Sequence, residues 1–179
     1  MREIASEAGL SPGNLYYYFA GKQELLYFCQ DRSLEKLLAA VQSARLSGQS
    51  VAAQLRDILE AHVHCLLDDL EGSSAHLEVD ALPPELRSRI VDKRDRYERA
   101  VRRLLSAGVR SGELADCDAK VVTRAMLGAA NWTAQWFRPE GPKTVSHVAT
   151  SLADYLVRGL ESSGAPRQIR GRAKSGGSR

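Results

Sequence analysis

The sequence predicts an all-α fold, with a small helical head ahead of a larger helical body. Three observations carry this. Apolar residues recur at spacings of three and four along successive segments from residue 2 to residue 160. No segment shows the strict alternation of a half-buried strand. Clusters of glycine, serine and proline fall between the periodic segments. A chain of 179 residues, 44% of them apolar, has enough sequence to bury a substantial core as one globular body with a small appendage.

The head comes first. Ile4, Ala5 and Ala8 share one stripe of a short helix, and Gly9 stands where that helix would stop in a left-handed cap. Ser11 can cap a second helix with its hydroxyl, while Pro12 at the first helical position has no amide hydrogen to lose. Leu15 and Phe19, four apart, are expected on the inward face with one of the tyrosines. A helix, a tight glycine turn and a second helix make a helix-turn-helix. On its outward face Gly13 allows close backbone approach to a phosphate, and Asn14 can pair with a base edge. Tyr16 and Tyr17 offer hydroxyls on rigid rings. Tyr16, Tyr17 and Tyr18 cannot all face inward, because successive helical residues turn by about 100°. The competing reading is an aromatic knot that only packs a small bundle. Lys22, after the turn at Ala20 and Gly21, opens the next helix, where its ammonium and the free amides could meet a phosphate together.

The body follows in order. Residues 22–45 read as one long rod joining head to body, with apolar residues at 25, 26, 28, 34, 37, 38 and 41. After Gly48 the period resumes over 51–70. Residues 71–74 punctuate, and a short helix over 75–82 is ended by Pro83 and Pro84. A long, highly charged helix over 85–109 ends at Gly112. Asp118 is placed to cap a helix over 119–137, and the loop 138–142 leads to a last helix over 143–160. From 161 to 179 the Ser-, Gly- and Arg-rich tail has nothing apolar to bury and is expected to be disordered. The domains are therefore read as 1–25, 26–160 and 161–179.

The run Ile4, Ala5, Glu7, Ala8, Gly9, Leu10, Ser11, Gly13, Leu15, Tyr16, Tyr18, Phe19, Lys22 and Leu25 resembles the DNA-binding domain of the TetR family of bacterial transcriptional repressors. The resemblance implies a homodimer that holds two recognition helices in successive major grooves of a palindromic operator and lets go when a small molecule binds the body. It implies DNA contacts from Ser11, Gly13, Asn14, Tyr16, Tyr17 and Lys22. Proteins similar to this one usually carry a further helix ahead of the equivalent of Met1. The head is thus expected to be a truncated helix-turn-helix, loosely held and weakened in DNA binding, with Ile4, Leu10, Leu15 and Phe19 left uncovered.

Asn131, Trp132, Trp136, Phe137, Arg138, Pro139 and Gly141 resemble a signature of an acyl-CoA-responsive subset of that family. Trp132 and Trp136 lie four apart on one helical face and could offer a flat apolar surface to an acyl chain or an adenine; the alternative is that both fill a dimer core. Arg99, Arg103 and Arg138 are candidates for the phosphates of a CoA. The expected ligand pocket comprises His62, Leu66, Tyr97, Arg99, Arg103, Asn131, Trp132, Trp136 and Arg138. Ala125, Gly128, Ala129, Ala130 and Ala134 allow close approach of a neighbouring helix, so the last two helices are the expected dimer interface, with packing inside one chain as the alternative.

Several classes are excluded. His62 and His64 point about 200° apart on a helix, so no metal pair forms there. There is no nucleophile elbow, no phosphate-binding glycine loop and no paired-carboxylate arrangement beyond a helix surface, so neither catalytic residues nor a cofactor are expected. Cys29, Cys65 and Cys117 lack the regular spacing of a disulfide framework. With no secretory signal and no apolar run of membrane-spanning length, a cytoplasmic protein is expected. The net charge of +3 and pI near 8.8 are mild and lie partly in the tail, so the DNA reading rests on the head motif. Its rivals are a helical acyl-ligand-binding protein without DNA-binding competence and a helix-rich adaptor.

Overall fold

The computed structural model describes residues 1–7, 9–67 and 78–161. These residues form seven α-helices and one 3-10 turn. The order is α1 (Arg2–Glu7), α2 (Pro12–Tyr18), α3 (Lys22–Leu46), α4 (Val51–Leu67), the turn Val79–Ala81, α5 (Pro84–Ser111), α6 (Ala119–Trp136) and α7 (Val145–Arg158).

Local chemistry sets the helix ends. Gly9 adopts φ +64°, the left-handed conformation that separates α1 from α2. Ser11 Oγ accepts the Asn14 N–H at 3.1 Å, and Pro12 fills the first turn of α2. The chain leaves α2 at Phe19, which is extended at φ −135° and ψ 121°. Leu15 and Phe19 therefore do not share a helical face. Leu15 is buried from the helix, whereas Phe19 reaches inward from extended backbone and packs against Phe28 with ring centres 5.2 Å apart. That exit opens the turn into α3, whose Glu24 carboxylate accepts the Ala20 N–H at 2.6 Å.

α3 is one continuous helix of 25 residues, with Leu34, Leu37 and Val41 buried in the body. α4 is the central element: it touches α3, α5, α6 and α7 and buries Leu55, Ile58, Leu59, His62, Val63, Cys65 and Leu66. α5 ends at Gly112, left-handed at φ +76°, as the sequence predicts. Asp118 Oδ1 accepts the N–H groups of Lys120 and Val121 at 2.9 and 3.1 Å to start α6. α7 begins two residues later than its periodicity suggests, because Thr144 Oγ1 takes the His147 N–H at 3.2 Å and acts as the cap.

The C-terminal end of α7 is tied back to the body. Ala115 N–H donates to Leu160 O at 2.7 Å, Leu114 and Glu161 form an antiparallel bridge, and Arg56 of α4 pairs with Asp154 and Glu161. Glu161, grouped with the tail on composition, is held by these contacts. The rest of the tail, the punctuation at 71–74, the first residues of the helix expected over 75–82 and Ala8 lie outside the described residues. Of that short helix, the described part is the 3-10 turn.

Central burial in α4 makes a direct stability prediction. Leu55 is fully buried, so Leu55→Ala should cost about 2–5 kcal/mol by lost transfer energy and a residual cavity. Leu46→Ala, at an exposed position near the end of α3, should stay within about 0.5 kcal/mol. Urea unfolding midpoints at unchanged slope measure both.

Candidate functional site

The head presents a polar and aromatic surface built by α2. Ser11, Gly13, Asn14 and Lys22 are all exposed, as are Tyr16, Tyr17 and Tyr18, Tyr17 most of all at 83%. No tyrosine turns inward. Leu15 alone fills the inner side of this short helix, and Tyr17 and Tyr18 pack edge to face with ring centres 5.1 Å apart. Two phenols are thus held side by side on the outer surface, on rings too rigid to fold away. Ile4 and Leu10 are partly uncovered at 37% and 43%, Phe19 is half-buried, and Leu15 is buried.

The body holds a cavity of about 280 Å³ between α3, α4, α5 and α6. Its apolar wall comes from Leu34, Leu37, Leu66, Ile90 and Leu127, and its polar wall includes His62, Arg94, Tyr97, Glu98 and Asn131. His62 is buried at the centre of the polar side. Its Nδ1 lies 3.0 Å from the Tyr97 hydroxyl and its Nε2 lies 3.0 Å from Asn131 Oδ1. Burial pushes the Tyr97 phenol far above the ordinary tyrosine range, and the neighbouring Cys65 thiol adds to the effect, so the hydroxyl keeps its proton. The Asn131 carbonyl oxygen accepts from the Nε2–H of His62, and the Tyr97 hydroxyl is held in hydrogen-bond range of Nδ1. Burial also lowers the pKa of Arg94 from the usual arginine value.

The floor of the cavity is α3, the helix that carries the head. Gln30, Leu34 and Leu37 of α3 line it. One residue from Arg94, the Lys93 ammonium pairs with the Asp31 carboxylate and lies 3.4 Å from Glu35 Oε1, both on α3. A wall residue of the cavity thus adjoins an ion pair that grips the rod.

Four of the residues expected in a pocket line this cavity: His62, Leu66, Tyr97 and Asn131. Arg99 and Arg103 do not. Arg99 is about 200° around α5 from Tyr97 and pairs with Asp95 at 3.6 Å; Arg103 is two and a half turns from Arg94 and faces out. Arg138 lies in the loop after α6 and donates to the carbonyls of Gln135 and Phe137. Trp132 and Trp136 are exposed at 65% and 47%, on the far side of α6 from the cavity. Arg94 and Glu98 were missed, although the inward stripe that contains Tyr97 and Val101 passes through both.

The two tryptophans belong to a different surface. Val121, Ala125, Gly128, Trp132 and Trp136 are exposed along one stripe of α6, with Tyr155 exposed on α7. Ala130, one of the small residues expected at an interface, is instead buried inside the chain with Val63, Val148 and Ala149. Among the described residues no helix is long and apolar enough to cross a membrane, and no group of three His, Cys, Asp or Glu side chains could hold a metal ion.

Residues 1–27 match the family described as bacterial regulatory proteins, tetR family, and residues 48–160 match the one described as tetracyclin repressor-like, C-terminal domain. The HTH-type transcriptional repressor KstR2 of Rhodococcus jostii is 26% identical over 171 residues, covering 90% of this chain and 81% of that protein. The crystal structure of the TetR family transcriptional regulator PfmR from Thermus thermophilus is similar with a TM-score of 0.77 and 33% identity, over 90% of this chain and 88% of that one. AibR, solved in complex with isovaleryl coenzyme A and operator DNA, shares the fold with a TM-score of 0.70 at 22% identity, over 87% and 85% of the two chains.

The buried hydrogen bonds of the cavity wall predict the behaviour of Tyr97→Phe. The variant removes the hydroxyl that bonds His62 Nδ1 and should lose about 1–3 kcal/mol at neutral pH. In the parent chain the folded phenol stays protonated while an unfolded tyrosine titrates near pH 10. Its contribution is full below about pH 10 and declines above it by up to about 1.4 kcal/mol per unit. The difference between parent and variant in urea melts at pH 8, 10 and 11 measures this.

Proposed function

Because the chain belongs to the TetR family of bacterial transcriptional regulators, we propose that it is a ligand-released repressor: a homodimer that holds operator DNA through two copies of α2 and lets go when a small molecule fills the cavity of the body. The observation that carries this reading is that α3 is at once the support of the head and the floor of the cavity.

The DNA contacts come from Ser11, Gly13, Asn14, Tyr16, Tyr17 and Lys22. Asn14 and the tyrosine hydroxyls reach base edges or phosphates, and Lys22 adds a phosphate contact at the start of α3. Two heads engage successive major grooves only if the dimer holds them about 34–36 Å apart, one turn of DNA, or a multiple of that. The apolar stripe of Val121, Ala125, Gly128, Trp132 and Trp136, with Tyr155, is the surface that joins the protomers through α6 and α7. Its large side chains are apolar and exposed, which favours association over contact with water.

The effector is an acyl-CoA thioester. Support comes from the family, from AibR's complex with isovaleryl coenzyme A, and from a cavity at the small end of the ligand-site range. A space of about 280 Å³ takes a compact acyl group and leaves the nucleotide outside. An acyl group packed against Gln30, Leu34 and Leu37 favours a different seating of α3, and α3 carries that change to the recognition helix. The ligand acts only through its difference in affinity for the two seatings.

Band shifts on palindromic DNA from upstream of the protein's own gene test this reading. Retarded DNA released by isovaleryl-CoA or another short acyl-CoA is the expected result; ligand binding with no retarded DNA at any protein concentration would favour a bare acyl-binding protein. Tyr17→Ala should weaken operator binding by about 1–3 kcal/mol, and Lys22→Ala should reduce the salt slope by about one. Trp132→Arg should yield monomers in sedimentation equilibrium with the helical content of the parent chain; a dimer of unchanged affinity would remove α6 from the interface.

A further inference from the structure

We infer that the side-chain amide of Asn131 selects the effector, donating from Nδ2 to the carbonyl oxygen of its acyl thioester at the mouth of the cavity. The inference rests on the proposed reading of the cavity as an acyl-CoA site and names the atom that reads the acyl group.

Exposure locates the mouth. Every residue that lines the cavity is buried except Arg94, Asp95 and Glu98 of α5 and Asn131 of α6. The opening therefore lies between those two helices, with the apolar wall of Leu34, Leu37, Leu66, Ile90 and Leu127 behind it. A ligand that enters with its apolar tail first leaves its polar end beside Asn131.

The amide at that position is only half used. Its Oδ1 accepts from His62 Nε2–H at 3.0 Å, which turns Nδ2 away from the imidazole. Nδ2 has no acceptor among the described residues and is open to solvent, unlike Glu98 Oε1, which is sealed beneath the surface beside Arg102. Two N–H donors on an amide of fixed orientation thus stand at the mouth and call for an acceptor. A thioester carbonyl accepts without a hydrogen of its own to place, and it lies where the acyl tail ends and the nucleotide portion begins. With the tail against the leucines and the nucleotide outside, that oxygen meets Nδ2 at the usual N–H···O length of about 2.9 Å. An alkyl thioether of the same length fills the same volume but strips water from the amide and gives nothing back. Sites built to hydrogen-bond a ligand group discriminate strongly against the analogue that lacks it.

The test is calorimetric titration of the whole protein with two matched pairs: isovaleryl-CoA with S-isopentyl-CoA, and hexanoyl-CoA with S-hexyl-CoA. Each pair differs only in the carbonyl, so at least one thioester should bind about tenfold more tightly than its thioether, the weight of one hydrogen bond. Asn131→Asp keeps an oxygen for His62 Nε2–H and replaces the donor by a second oxygen, so that preference should vanish or reverse. Any general effect of the added charge on CoA falls on both members of a pair and cancels in their ratio. Equal affinity within both pairs for the parent chain overturns the inference, as does failure of both thioesters to bind at millimolar concentration. Full retention of the preference in a folded Asn131→Asp overturns the assignment to Asn131, and the parent-chain comparison decides the matter if that variant does not fold. Band shifts with the same four compounds keep the two readings apart. Operator release by thioester and thioether alike defeats this inference alone, and carbonyl preference without operator binding defeats the repressor.

Discussion

A histidine on a helix that is buried on several sides requires a partner for each ring nitrogen, and much of the body is arranged around meeting that requirement. His62 sits on α4, which touches α3, α5, α6 and α7. A ring nitrogen left without a partner there would cost about 1–3 kcal/mol, a large share of the stability of a domain this size. Tyr97 of α5 and Asn131 of α6 answer the two nitrogens, so three helices are pinned to one imidazole at fixed rotation. Once those rotations are set, the faces of α5 and α6 beside the bonds become the polar wall of the cavity. The apolar remainder comes from leucines that would otherwise pack on one another.

The same packing brings the cavity to α3. That helix runs unbroken over its 25 residues from the head past the cavity, and in the proposed mechanism it carries a change in its seating against Leu66 or Ile90 to the head. Lys93 holds α3 from the α5 side through Asp31 and Glu35, one residue along from Arg94 in the cavity wall. In the proposed mechanism the lever is a packed helix with two seatings, and an ion pair of partly buried groups biases it toward one of them.

The helices were legible in the sequence because their ends are written in local chemistry. Ser11, Asp118, Gly9 and Gly112 each announce a cap or a stop, and each does that work in the fold. Thr144 and Phe19 were not read, since a threonine three residues before a histidine is common and an extended aromatic inside an apparent helical period leaves no local mark. The site was legible in part. Periodicity says which residues of α5 share a face with Tyr97, and Arg94 and Glu98 follow from it; arginine density drew the reading to Arg99 and Arg103 on other faces. On α6 the period identifies two faces but cannot say which one meets the chain's own core. Asn131 turned inward to His62, and Trp132, the next residue and about 100° around, turned out.

The central claim is that filling the cavity moves the start of α3. It is tested most directly by the distance between spin labels at Gln23, exposed in the first turn of α3, in the two protomers of the dimer. Pulsed dipolar measurements would compare the protein bound to its operator with the protein saturated by an acyl-CoA that releases the DNA. The account predicts a label distance that departs by several ångströms from the operator-bound value. A distance distribution unchanged by the ligand, with the DNA nonetheless released, would contradict it.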